Sequence, residues 1–262
     1  MGLGHIRRNQ LIAHTLADSS LQPNIFLISG TAEAAAFALP SNVDRLILPS
    51  FMKDEKGRYR SKSSHLSVQE LVSLRARTIH TALEAFAPDV LIVDKVPRGT
   101  LRELDPALKA LRLRGRTLCI LGLRDVLDEP SVIQKEWKDA ENEDAIRLYY
   151  DAVWIYGDRS VYHAPREYHF SSELMAKARY TGYHDQRLRL GIFNSHFHFW
   201  EKLIPELPYV LCVVGGGQDG GRLAKAFVHS QLPPDMTGVL ITGPYMPVDA
   251  VNEIRECIAK NP

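Results

Sequence analysis

Cysteine is scarce in this chain, charge of one sign does not accumulate, and no long apolar run interrupts it. The three cysteines, Cys119, Cys212 and Cys257, lie far apart in apolar or helical stretches. Neither a disulfide framework nor a metal site is expected of them, and they read as buried thiols of a reducing compartment. Basic side chains number 32 and acidic ones 31, a formal charge of +1. Such a balance provides no global field toward nucleic acid or an anionic membrane, so no nucleic-acid partner is expected. No window approaches the ~20 apolar residues of a membrane span, and the N-terminus lacks the apolar core of a signal peptide. A cytoplasmic location is the expectation.

What is present is globular: 262 residues, 45% hydrophobic and 24% charged. That length is generous for one ordinary domain and short for two large ones. Short β-rich runs alternate with longer amphipathic ones, the pattern of an α/β fold with a parallel sheet covered by helices on both faces. The expected strands are Asn24–Ser29, Arg45–Leu48, Asp89–Val93, Thr117–Leu121 and Ala152–Tyr156. Ser67 and Glu70 make a capping box for a helix that turns Leu71, Leu74, Ala82 and Phe86 inward and stops before Pro88. Further helices are expected over Thr100–Leu113 and Ser131–Tyr150.

The alternation fails after Gly157 and returns at Tyr209, with strand Tyr209–Val214, a glycine cluster, helix Arg222–Ser230, strand Gly238–Thr242 and helix Val248–Lys260. The expected organisation is therefore an N-terminal Rossmann-like domain over 1–157, a connector over 158–207 and a partial second α/β domain over 208–262. A strand would ordinarily launch the opening glycines, and two β/α units cannot cover both faces of a sheet. The reading is of a fragment of a two-domain protein, with apolar residues of the second unit, Leu211, Val213, Leu240 and Ile241, left partly exposed.

Two glycine segments carry the chemistry. In Gly2-Leu3-Gly4-His5-Ile6-Arg7-Arg8-Asn9 the glycines permit a sharp turn and close backbone approach, while the following helix offers its N–H groups to an anionic or polar ligand. His5 at its first turn is placed as a general base, and Arg7 as a substrate contact. The plainer reading is a tight turn with a capping imidazole. The second segment, Gly215-Gly216-Gly217-Gln218-Asp219-Gly220-Gly221, stands between a strand and a helix, where backbone amides cradle a phosphate or pyrophosphate. No Lys-Ser or Lys-Thr pair follows it, which excludes a Walker A loop. Residues 238–243 hold no Asp or Glu, which disfavours dinucleotide binding.

The opening Gly-Leu-Gly-His-Ile-Arg-Arg, Asp94-Lys95-Val96-Pro97, Leu123-Arg124-Asp125, Tyr180-Thr181-Gly182-Tyr183 and Gly215-Gly216-Gly217 together resemble the GT-B glycosyltransferases. The nearest branch is similar to the bacterial predicted glycosyltransferases related to the lipid-linked N-acetylglucosaminyltransferase of peptidoglycan synthesis. The resemblance implies two Rossmann-like domains facing each other across a cleft, acceptor on the first and nucleotide-sugar donor on the second. It implies that His5 and its loop, Gly2 and Gly4 included, line the cleft floor, and that Gly215, Gly216, Gly217 and Gln218 approach the donor diphosphate. No cofactor is implied beyond the donor, which is a substrate. A fragment lacking the later donor-binding segment is expected to be a poor enzyme alone.

Asp94 and Lys95 follow one expected strand, and Arg124 and Asp125 another. Open α/β sheets bind ligands at such strand ends, so both pairs are candidates for the acceptor side, with Asp125 a second candidate base. Either aspartate also reads as a simple cap. The basic residues of 53–62 read as a solvated loop, or as one attracting a phosphorylated or membrane-surface acceptor. His196 and His198 lack a carboxylate or cysteine at ligand spacing, which disfavours a metal. The activity expected is inverting, metal-independent transfer of a hexosyl group. The alternatives are a nucleotide-sugar epimerase on the same fold, which needs further carboxylates, and a non-catalytic nucleotide-sugar-binding module.

Overall fold

The computed structural model describes residues 3–53, 58–62, 64–185, 187, 205–206 and 208–260. The chain divides into two compact units, Arg8–Gln186 and Arg187–Pro262, the opening Gly2–Arg7 grouping with the second. Both are α/β with parallel strands.

Helix α1 (Leu3–Ala17) packs Ala13 and Ala17 on Val43, with Ile25 and Leu27 alongside. Strand β1 (Ile25–Ser29) pairs in parallel with β2 (Val43–Ile47), Ile25 opposite Val43. An antiparallel pair follows, β3 (Phe51–Lys53) with β4 (Tyr59–Ser61), at the basic residues of 53–62 that read as a solvated or acceptor-attracting loop. Residues 54–57 of that segment lie outside the described residues.

Helix α2 (Val68–Phe86) opens on the expected capping box, Ser67 and Glu70 each accepting from the other's backbone N–H. Its buried face is Leu71, Arg75, Ala76, Ile79 and Leu83. Leu74 and Phe86, expected inside, are 44% and 41% exposed. Arg75 explains the rotation: only 2% exposed, it forms a bidentate pair with Glu103 at 2.5 and 2.9 Å and donates to the Pro49 carbonyl at 2.6 Å.

The remaining strands of the first unit, β5 (Val90–Asp94), β6 (Leu118–Arg124), β7 (Ala152–Tyr156) and β8 (Ala178–Tyr180), make a four-stranded parallel sheet in that order. Helix α3 (Asp105–Arg114) links the first two, and α4 (Pro130–Asp139) with α5 (Asn142–Tyr149) the next two. The expected helix 131–150 is broken because Glu141 turns left-handed, φ 54°, and meets Arg98 and Arg102 at 3.0 and 3.1 Å. The expected helix from Thr100 starts instead at Asp105, because Leu101 and Arg102 are left-handed and Glu103 is held by Arg75. Short helices α6 (Ala164–Glu167) and α7 (Ser172–Lys177) lead to β8. Residues 178–180 thus extend the sheet beyond Gly157, inside the stretch read as connector; three residues are too few to display a strand period. Parallel strands are present as expected, but among the described residues no ladder joins β1 and β2 to the four-stranded sheet. Leu121, Leu123, Val153 and Ile155 form the buried centre with Leu108, Ile146 and Leu174 from the helices.

In the second unit β9 (Tyr209–Val213) pairs with β10 (Thr237–Ile241), each followed by its helix, α8 (Gly221–Val228) and α9 (Val248–Lys260). Ala224, Met246 and Ile254 are its buried centre. Leu211, Val213 and Ile241 are 50%, 52% and 47% exposed, whereas Leu240, expected with them, packs on that centre. Among the described residues no helix is long and apolar enough to cross a membrane.

Candidate functional site

Parallel strands end together, and loops leaving their carboxyl ends bring distant residues side by side. At those ends in the first unit Asp94 closes β5, Arg124 closes β6 with Asp125 just beyond it, and Tyr156 closes β7. The loop after β8 carries Tyr183 and His184.

Asp94 is joined to α1. Arg8 Nη2 donates to Asp94 Oδ1 at 2.5 Å, with both side chains about 14% exposed, and Asn9 Nδ2 donates to Asp94 Oδ2 at 3.1 Å. The Arg8 guanidinium carbon lies 5.4 Å from the Tyr156 ring centre, and that ring packs on His184 at 4.7 Å. Burial and the Asp94 charge push the Tyr156 phenol up to about 12, against the pull of Arg8. Burial, then Arg8, pushes His184 below the ordinary imidazole value. Arg8, Asn9, Asp94, Tyr156 and His184 therefore form one cluster in which the ion pair is internally neutralised.

Asp125 is engaged by its surroundings. Its Oδ1 accepts from the Val126 N–H at 2.8 Å and its Oδ2 from Tyr183 Oη at 2.7 Å. A Cβ on Gly157 would lie 2.7 Å from the Asp125 Cβ, so this glycine permits the approach. Lys95 adopts a left-handed φ of 68° and donates its N–H to the Gly122 carbonyl at 2.8 Å. Its half-buried amine is lowered by burial first and by Arg124 second. Arg124 is exposed and donates to the Leu127 carbonyl of its own loop. Asp94 thus joins the cluster, while Asp125 is held by Val126 and by Tyr183 of the loop after β8, the Lys95 N–H by Gly122 of β6, and Arg124 by its own loop.

Gly2 lies outside the described residues, as do His196 and His198. Gly4 and His5 stand within the first turn of α1 rather than in a loop before it. A Cβ on Gly4 would meet nothing within 4 Å, so no close backbone contact requires that glycine. Arg7 is exposed, and it is Arg8 that turns to the strand ends.

In the second unit the glycine segment is the turn from β9 into α8. Gly215 and Gly217 are left-handed, φ 61° and 90°. A Cβ on Gly217 would lie 2.1 Å from the Thr242 carbonyl oxygen, and one on Gly243 2.2 Å from that of Gly215. The turns after the two strands are thus packed backbone to backbone. The Gly217 N–H donates to Val214 O, and the Tyr245 N–H to Gly216 O at 2.8 Å. Gly217 therefore shapes the turn, while Gly216, with its nearest prospective neighbour the Tyr245 ring at 3.0 Å, has no left-handed requirement. Gln218 is exposed.

Sequence pattern does not single out Arg8, Asn9, Tyr156 or His184 as site residues. One signal was available. Glycine inside an apolar strand marks a close approach, and a Cβ on Gly122 would lie 2.1 Å from Tyr156 Oη.

No family model matches the chain, and no curated protein matches it. Among solved structures it is similar to Anabaena HepE in complex with UDP and glucose, at TM-score 0.47 and 14% identity over 90% of this chain and 66% of that one. It is also similar to HepE in complex with UDP-glucose, at 0.43, 14%, 90% and 65%, and to S. aureus MnaA with UDP, at 0.41, 13%, 90% and 64%. The chain spans about two thirds of their length.

Proposed function

We propose that the protein is a GT-B glycosyltransferase that moves a hexosyl group from a nucleotide sugar to an acceptor hydroxyl, with inversion and without a metal. The observation that carries the reading is the strand-turn-helix at Gly215–Gly221, where a glycine turn stabilised by its neighbour loop precedes a helix N-terminus, an arrangement suited to a diphosphate. In this reading Gly215, Gly216 and Gln218 lie along the donor diphosphate. The Asp94 cluster of the first unit belongs to the acceptor side, together with Gly4 and Arg7. His5 is the general base or the residue that positions the acceptor, with Asp125 the alternative base. Amide dipoles would stabilise the departing diphosphate, and a base would take the acceptor proton. A phosphorylated or membrane-surface acceptor would be drawn in by the basic residues of 53–62, which charge reversal at Arg58 and Arg60 tests through acceptor KM.

The two glycines separate turn from site. Gly217→Ala is expected to unfold or strongly weaken the second unit, because its Cβ meets a backbone oxygen and its φ is left-handed. Gly216→Ala is expected to fold, since only the Tyr245 ring must give, and to weaken nucleotide-sugar affinity about tenfold by crowding the diphosphate. Calorimetric titration with nucleotide sugars measures this. Unchanged affinity in folded Gly216→Ala would show that the loop is a turn and nothing more.

A further inference from the structure

Two polar atoms at the strand ends of the first unit are buried and have no hydrogen-bond partner among the described residues: Tyr156 Oη and His184 Nε2. They belong to rings in contact, 4.7 Å between centres. Tyr156 is only 5% exposed. An orphaned buried polar atom weakens a fold, and phenylalanine at this position would keep the packing without it. Space for the oxygen is also maintained at the expense of a strand glycine, Gly122. Retaining a destabilising group in a specially cleared position is the mark of a site that meets its partner from outside the fold.

The charges around the pair restrict what that partner is. The neighbouring cation, Arg8, is matched by Asp94 at 2.5 Å, and Asn9 takes the second carboxylate oxygen. Burial keeps the phenol protonated, and burial with Arg8 keeps the imidazole neutral at pH 7. The two ring atoms thus offer a phenol, which donates or accepts, and a neutral ring nitrogen. A hydroxyl satisfies both atoms, donating to one and accepting from the other, and brings no charge to be desolvated beside the buried phenol.

We infer that Tyr156 and His184 are a recognition pair for an uncharged hydroxyl-bearing ligand of the polyol or saccharide class. The inference rests on the acceptor role proposed for this end of the first unit and specifies the chemistry it accepts.

The test uses glycerol, methyl α-D-glucoside and N-acetylglucosamine as probes, with inorganic phosphate as the contrasting one. Proton NMR follows the His184 ring, assigned through a His184→Phe variant. At least one of the uncharged probes is expected to shift these signals saturably while phosphate does not. Tyr156→Phe is expected to melt about 1–3 °C above the parent protein and to bind the responding probe about fivefold more weakly. Melting several degrees below the parent would show that the oxygen is bonded within the fold and would overturn the inference. So would unchanged probe affinity in the folded variant, a response to phosphate alone, or silence to all three uncharged probes. Release of nucleoside diphosphate from nucleotide sugars, measured on the same samples, reports on glycosyl transfer separately. Its absence beside an intact probe response counts against the transferase reading and not against the pair.

Discussion

Glu103→Ala is expected to destabilise the first unit by about 3–5 kcal/mol, the cost of leaving a buried cation without its counter-charge. Arg75 and Glu103 have side chains 2% and 6% exposed. The Arg75 guanidinium also lies 4.7 Å from the Phe51 ring centre and bonds the Pro49 carbonyl, so it cannot swing to water without opening the β3–β4 segment. Urea unfolding measures the loss as a lowered midpoint at unchanged slope. The double variant Arg75→Met with Glu103→Leu is expected to recover most of the loss, because apolar replacement of a whole buried pair is close to neutral. A single variant within about 1 kcal/mol of the parent would show that water reaches the arginine and that the pair is not structural.

His5→Ala is expected to lower turnover by ~10² to 10⁴ while leaving donor affinity nearly intact, the pattern of losing a positioned base rather than a binding contact. His5 stands on the first turn of α1, three residues before the arginine that holds Asp94. Asp125→Asn is the control. Its carboxylate is held by Val126 and Tyr183, so the amide should keep the loop and change turnover by less than His5→Ala does. Near-normal turnover in His5→Ala together with abolished turnover in Asp125→Asn would move the base to Asp125.

The strands were legible where apolar runs are long enough to show their character. Ala152–Tyr156 and the helix Val248–Lys260 fall where the residues indicated, and most other strands agree within two residues at either end. What sequence pattern could not supply was pairing. β8 is three residues long, and the separation of β1 and β2 from the four-stranded sheet depends on long-range neighbours. The inward face of α2 was misread because a charged residue is normally assigned to solvent, and nothing local reveals that Arg75 meets Glu103 28 positions away. The site was legible in the same uneven way. Asp94 could be chosen as a strand-end carboxylate, yet its partners Arg8 and Asn9 are remote in sequence and come to it only through the packing of α1. Tyr156 and His184 were hidden because aromatic residues at a strand end ordinarily signify packing, and only Gly122 in the adjacent strand hinted at more.

The most direct test of the central claim is to mix the intact protein with a panel of nucleotide sugars labelled in the sugar and to follow nucleoside diphosphate release alongside transfer of label to a hydroxyl acceptor. One donor class is expected to be consumed, with release and transfer in equal amounts and undiminished by a metal chelator. No saturable donor binding and no release from any member of the panel would contradict it.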